Sequence, residues 1–78
     1  MNIQKWIKEH ENMKRDYFCD TFGNTDKYIY KYENGDQYRH EETQNTLWEK
    51  TIKDYINEKL VSAKNYKWEN FGWKEIQL

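Results

Sequence analysis

Thr46-Leu47-Trp48-Glu49-Lys50-Thr51-Ile52-Lys53-Asp54-Tyr55-Ile56-Asn57-Glu58-Lys59-Leu60-Val61-Ser62-Ala63 is the stretch on which the fold turns. Its first four residues have the form Ser/Thr-x-x-Glu, the capping box in which two side chains satisfy the free backbone donors at a helix start. Behind it, Trp48, Ile52, Tyr55, Ile56, Leu60 and Ala63 recur at helical spacing, with Lys50, Lys53, Asp54, Asn57 and Glu58 on the other side. Glu49 precedes Lys53 by one helical turn, the favourable order for such a pair. This reading predicts one long amphipathic helix that ends near Lys64-Asn65.

Upstream lies Tyr28-Ile29-Tyr30-Lys31-Tyr32-Glu33-Asn34-Gly35-Asp36-Gln37-Tyr38-Arg39-His40, two alternating runs around Asn-Gly, which indicates a β-hairpin. A two-residue turn at Asn34-Gly35 would set Glu33 against Asp36 and turn Tyr38 away from the other tyrosines. A three-residue loop, Glu33-Asn34-Gly35, puts Gly35 at the left-handed bulge position. It pairs Tyr32 with Asp36, Tyr30 with Tyr38 and Tyr28 with His40, gathering the rings on one face. Cross-strand aromatic pairs stabilise by up to about 1 kcal/mol, which selects this second register. Ile29, Lys31, Gln37, Arg39 and Glu41 then occupy a mostly wet face.

Before the hairpin, Ile3, Trp6, Ile7 and His10 mark one stripe of a helix over residues 2–11, with Asn2 as its N-cap. Residues 14–22, KRDYFCDTF, alternate with period two and read as a strand; Gly23-Asn24-Thr25-Asp26 is turn chemistry. The tail from Tyr66 to Leu78 is rich in rings and lacks helical period, so a loop and a final strand over residues 71–77 follow. The expected class is α+β: helix, three-stranded antiparallel meander, long helix, short C-terminal strand. Both helices are expected on one face of the sheet, and residues 1–78 are expected to form a single compact domain.

Composition bounds this picture. Ile, Leu, Val and Phe number only 13 of 78 residues, but four Trp and seven Tyr replace the missing volume, and net charge is −1. A large aromatic buries about 150–250 Å², so an aromatic core is expected. Tyr28, Tyr30, Tyr32 and Tyr38 are expected to pack beneath Trp48, Ile52 and Ile56. One cysteine, Cys19, excludes an internal disulfide. With no signal-peptide pattern and no apolar run of about 20 residues, the expected compartment is the cytoplasm and no membrane partner is expected. Residues 9–42 carry nine acids against five bases, while residues 43–78 carry five acids against six lysines. That is not the basic footprint of a nucleic-acid binder.

No chemistry-bearing motif is present. Gly23, Gly35 and Gly72 are isolated, so no phosphate loop can be written. His10, His40 and Cys19 have no metal-ligand spacing, and Cys19 reads as a core filler rather than a nucleophile. Glu41-Glu42 reads as a solvated stretch. The expectation is a protein that is not an enzyme, without cofactor or metal.

Binding is what remains. Tyr28, Tyr30 and Tyr38 can leave part of their ladder exposed, and Trp68, Phe71 and Trp73 in the tail are the stronger candidates, since Tyr and Trp dominate interface hot spots. Asp20, Asp26, Glu33, Asp36, Glu41 and Glu42 can form an acidic patch attractive to a basic groove, although ordinary solvated turns are the favoured reading. A second reading stacks single-stranded nucleic acid on Tyr28, Tyr30 and Tyr38, flanked by Lys31 and Arg39. Trp68 or Trp73 can equally serve a homodimer.

Helix, three strands, helix resembles the order of the double-stranded-RNA-binding domain. The start of that family's second helix would fall on Leu47-Trp48-Glu49-Lys50-Thr51, where its basic cluster is missing, so its function does not carry over. In length and in its Lys/Asn/Glu/Tyr-rich composition, the chain is similar to small phage-encoded inhibitors of host defence, including the anti-CRISPR proteins. That resemblance matches no motif. It implies a host protein as partner, such as a nuclease effector or another nucleic-acid-binding protein, blocked in the host cytoplasm.

Overall fold

The computed structural model describes residues 2–76. Its order is α1 (Ile3–Glu9), then β1 (Arg15–Phe22), β2 (Thr25–Tyr32), β3 (Gln37–Thr46), β4 (Glu49–Ile56), β5 (Lys59–Glu69) and β6 (Gly72–Ile76). The strands form one antiparallel sheet in sequence order, β1 to β6. The expected α+β class is therefore wrong: the chain is mostly β, with one short helix. Gln77, the last residue of the expected final strand, lies outside the described residues.

The error sits in the stretch from Thr46 to Ala63. Ile52 and Ile56 fit a helical stripe, but they also share one face of a strand whose other face carries Thr51, Lys53 and Tyr55, and the strand prevails. Asn57 and Glu58 take φ of 49° and 68°, the left-handed pair that closes a two-residue hairpin and that Asn tolerates better than most residues. Neighbouring strands then supply partners that no isolated helix could. Lys53 lies opposite Glu41, and Tyr55 lies opposite Arg39, whose guanidinium sits 4.1 Å from the Tyr55 ring centre. Pairing and packing of this kind override local propensity. The apparent capping box has become turn chemistry. Thr46 Oγ1 accepts the Trp48 N–H at 3.3 Å, and Thr46 pairs across the turn with Glu49 beyond a bulge at Asn45.

Other expectations hold. Asn2 caps α1 by accepting the Lys5 N–H at 3.1 Å. Tyr28 faces His40 and Tyr30 faces Tyr38, the Tyr32 N–H donates to Asp36, and Gly35 has φ 92°. The three-residue loop is the one formed.

α1 lies on the face that carries Tyr30, Tyr32, Tyr38 and Ile56. Trp6 meets Tyr32 edge-on at 5.4 Å and Tyr38 at 6.2 Å. Seven residues of helix cannot cover six strands. Tyr32 and Ile56, each 5% exposed, are the buried hydrophobic residues among those described, and His10 joins them at 7%. The radius of gyration is 13.9 Å, against roughly 11.5 Å for a compact chain of this length. The molecule is one layer with a small core at one corner, not the aromatic interior expected beneath a long helix. Trp48 is correspondingly exposed, and Tyr55, Leu60 and Ala63 lie on the face away from α1.

That opposite face is held by cross-strand rows. Asp20, Lys27, Glu41 and Lys53 follow one another with alternating charge. Thr25 and Thr43 share a hydroxyl bond at 2.8 Å, and Thr51 donates to Asn65 at 2.7 Å. Such pairs contribute about 0.2–1 kcal/mol each. No helix among the described residues is long and apolar enough to cross a membrane.

Candidate binding rim

A meander places alternate turns at opposite ends of its sheet. At one end lie the Glu33-Asn34-Gly35 loop and the Asn57-Glu58 turn, both polar. Asp36 ties them together: it accepts from Asn34 at 3.0 Å, from Asn57 at 3.2 Å and from His10 at 2.8 Å. His10 also donates from Nδ1 to the Trp6 carbonyl at 2.7 Å and stacks on the Trp6 ring at 3.8 Å. Both imidazole nitrogens thus face acceptors, which only the protonated ring can satisfy. The hydrogen bond to Asp36 raises the His10 pKa above its ordinary value despite burial. The same bond, with those from Asn57 and Asn34, lowers that of Asp36.

The other end is different in kind. It carries the turns at Gly23-Asn24, Leu47-Trp48 and Asn70-Phe71, joined through Gln44 N–H to the Asn24 carbonyl and Trp68 N–H to the Trp48 carbonyl. Phe22 is 78% exposed there, Leu47 75%, Trp48 53% and Phe71 96%. These are half of the eight exposed large hydrophobic residues among those described, set along one end of the sheet. Turns two strands apart are separated by about 9–10 Å, so the rim runs for roughly 19 Å. Trp73, stacked edge-on with Trp68 at 5.5 Å and approached by the Lys50 ammonium at 4.4 Å, adjoins it.

Asn70 and Phe71 form the same left-handed two-residue turn as Asn57 and Glu58, with φ of 50° and 61°. Such a conformation costs a bulky L-residue about 1–2 kcal/mol, and the Phe71 ring meets almost nothing. The turn explains the backbone conformation, and the fold gains little from an exposed aromatic ring at a position that glycine would fill with less strain.

Between α1 and strands β3 to β5 runs an open cleft of about 740 Å³, lined by Ile3, Ile7, Tyr38, His40, Ile52 and Tyr66 among others. Tyr38 donates its hydroxyl proton to Asp54 at 2.7 Å. Burial, then that bond, pushes the Tyr38 phenol far above its ordinary value. His40 sits 2.7 Å from Asp54 and 3.2 Å from Glu42. Burial pulls its pKa down, but the two carboxylates outweigh that and raise it. The protonated ring can donate to both carboxylates. Cys19 is exposed on β1, correcting its expected role as a core filler. In the sheet it is separated from His40 by Tyr28. No group of three or more His, Cys, Asp or Glu placed to hold a metal occurs among the described residues.

The six carboxylates singled out in the sequence do not share a surface. Asp26 and Glu42 lie on the helix face, Asp20 and Glu41 on the opposite face, and Glu33 and Asp36 at the polar end. Tyr28, Tyr30 and Tyr38 are half-buried, with Tyr30 stacked on Tyr38. Lys31 and Arg39 point to the face away from them. Among the tail rings, Trp68 is half-buried while Phe71 and Trp73 are exposed. Phe22, Leu47 and Trp48 went unrecognised because two of them were assigned to the supposed helix. An apolar residue at each of positions 22, 47 and 71, beside turn chemistry and at near-equal intervals, was the available signal. The chain matches no family model, no curated protein and no solved structure, so its compositional resemblance to phage-encoded inhibitors gains no support from known proteins.

Proposed function

We propose that this chain is a non-enzymatic protein-binding module whose contact surface is the rim formed by Phe22, Leu47, Trp48 and Phe71. The observation that carries this reading is the concentration of exposed apolar side chains at one end of the sheet while the other end is polar and hydrogen-bonded. Exposed apolar side chains gathered at one end of a small protein suit an interaction site, and rigid aromatic anchors are what hot spots are made from. Glu49, Glu69 and Asp20 flank the rim as closely as Lys50 and Lys67 do. That mixed collar suits a protein surface better than an anionic lipid surface, which calls for a basic one.

The nucleic-acid reading is weaker on this geometry, since Lys31 and Arg39 do not share a surface with the tyrosine ladder. The test is affinity capture by wild type, by a Leu47→Asp/Phe71→Asp rim variant and by a Glu33→Lys variant at the polar end, each checked for folding by circular dichroism. Specific capture by wild type and Glu33→Lys, lost in the rim variant, supports the proposal. Equal capture by all three, or binding only to vesicles or oligonucleotides, overturns it.

A further inference from the structure

β1 is an open edge of the sheet, and all eight of its residues are exposed. Its backbone polarity follows from the ladder. Glu33 N–H donates to the Lys14 carbonyl, so by the alternation of antiparallel pairing Asp16, Phe18, Asp20 and Phe22 direct their backbone groups inward to β2. Arg15, Tyr17, Cys19 and Thr21 direct theirs outward, where no strand follows among the described residues. Edge strands of natural proteins are usually blunted by charged side chains, proline or brevity, and the charges on β1 are Arg15, Asp16 and Asp20. The residues of β1 include neither lysine nor proline.

The side chains of this edge specify what would fit it. On the face away from α1, β1 presents Asp16, Phe18, Asp20 and Phe22 in alternation. Its inner neighbour answers them with Lys31, Ile29, Lys27 and Thr25. The alternating charge row across that face, Lys53, Glu41, Lys27, Asp20, ends at the open edge on a carboxylate with a basic neighbour on its inner side alone. We infer that β1 is a strand-addition site for an extended segment of another protein that carries basic-x-apolar-x-basic alternation. Main-chain bonds to Arg15, Tyr17, Cys19 and Thr21 supply affinity, and basic side chains opposite Asp16 and Asp20 set the register. A second copy of this chain fits less well: among the described residues, its other edge strand, β6, places Lys74 and Ile76 on that face, one basic residue where the register calls for two. The inference extends the protein-binding reading but uses a different surface, so rim substitutions and edge substitutions can fail independently.

The probe is an eight-residue blocked peptide with Lys-Val-Ile-Val-Lys at its centre, compared with the same peptide carrying Glu for both Lys. The readout is amide hydrogen exchange and chemical-shift change on the intact chain. Slowed exchange at Tyr17, Cys19 and Thr21 with the Lys peptide is expected, with binding roughly tenfold weaker for the Glu peptide, the scale of two cross-strand charge pairs reversed. Asp16→Lys/Asp20→Lys should invert the preference. Cys19→Pro removes an outward donor without touching the inner ladder and should abolish the protection. Equal binding of both peptides, no binding by either, shifts confined to other surfaces, or the same protection appearing without peptide as protein concentration rises would each overturn the inference.

Discussion

Phe71→Gly should make the protein more stable, and the size of the gain can be worked out. Phe71 is 96% exposed, so removing its ring gives up almost no burial. At φ 61° the native backbone costs an L-residue about 1–2 kcal/mol that glycine does not pay. Glycine loses roughly 0.5–1 kcal/mol more conformational entropy on folding than alanine does. The balance is a stabilisation of about 0.5–1 kcal/mol, or a rise of roughly 2–8 °C in Tm for a domain of this size. Phe71→Ala removes the same ring but keeps the strain, and should leave stability within about 0.5 kcal/mol of wild type. Thermal and urea unfolding of the three proteins decide the matter. If Phe71→Gly lowers stability, the ring contributes to the fold, and the argument that it serves binding instead collapses. If both variants are stabilised equally, strain is not the cause.

Two further outcomes concern the fold. His10 and His40 both have raised pKa values in the folded state, so their contribution is complete below the ordinary value of 6.5 and is lost as pH rises through the folded values; Asp36, lowered from 3.8, contributes above that value and loses it as pH falls through its own folded value. Stability should therefore be greatest between about pH 4 and 6.5 and decline above neutrality, and His10→Gln should make that decline shallower in unfolding measurements from pH 5 to 9, with the His40 contribution left in place. Ile56→Ala should cost about 2–4 kcal/mol, a large share of the stability of so small a core, and should show as a collapse of the urea midpoint, whereas Leu60→Ala, at an exposed position, should change it by less than about 0.5 kcal/mol.

Local chemistry with a single reading was legible in the sequence. The Asn34-Gly35 hairpin was found down to its register because only one register gathered the tyrosines and separated Glu33 from Asp36. α1 was found because Asn2 and the Ile3, Trp6, Ile7 stripe agree. The second half of the sheet was not legible, for a reason visible in Ile52 and Ile56. Residues four apart share a helix face and also share a strand face, so they cannot discriminate between the two. What decides β4 is the presence of β3 beside it, a contact that lies outside any local window. The rim followed the same division. Phe71 was anticipated because its surroundings had no helical period, while Trp48 was lost inside a helix that does not exist.

The central claim, that the rim rather than the polar end grips a protein partner, is tested most directly by site-specific photocross-linking in cells. A benzoylphenylalanine at position 71 should yield a discrete covalent adduct with another protein on irradiation, and one at position 34 should yield none. Adducts of equal yield from both positions, or none from position 71 while the chain remains folded, would contradict the account.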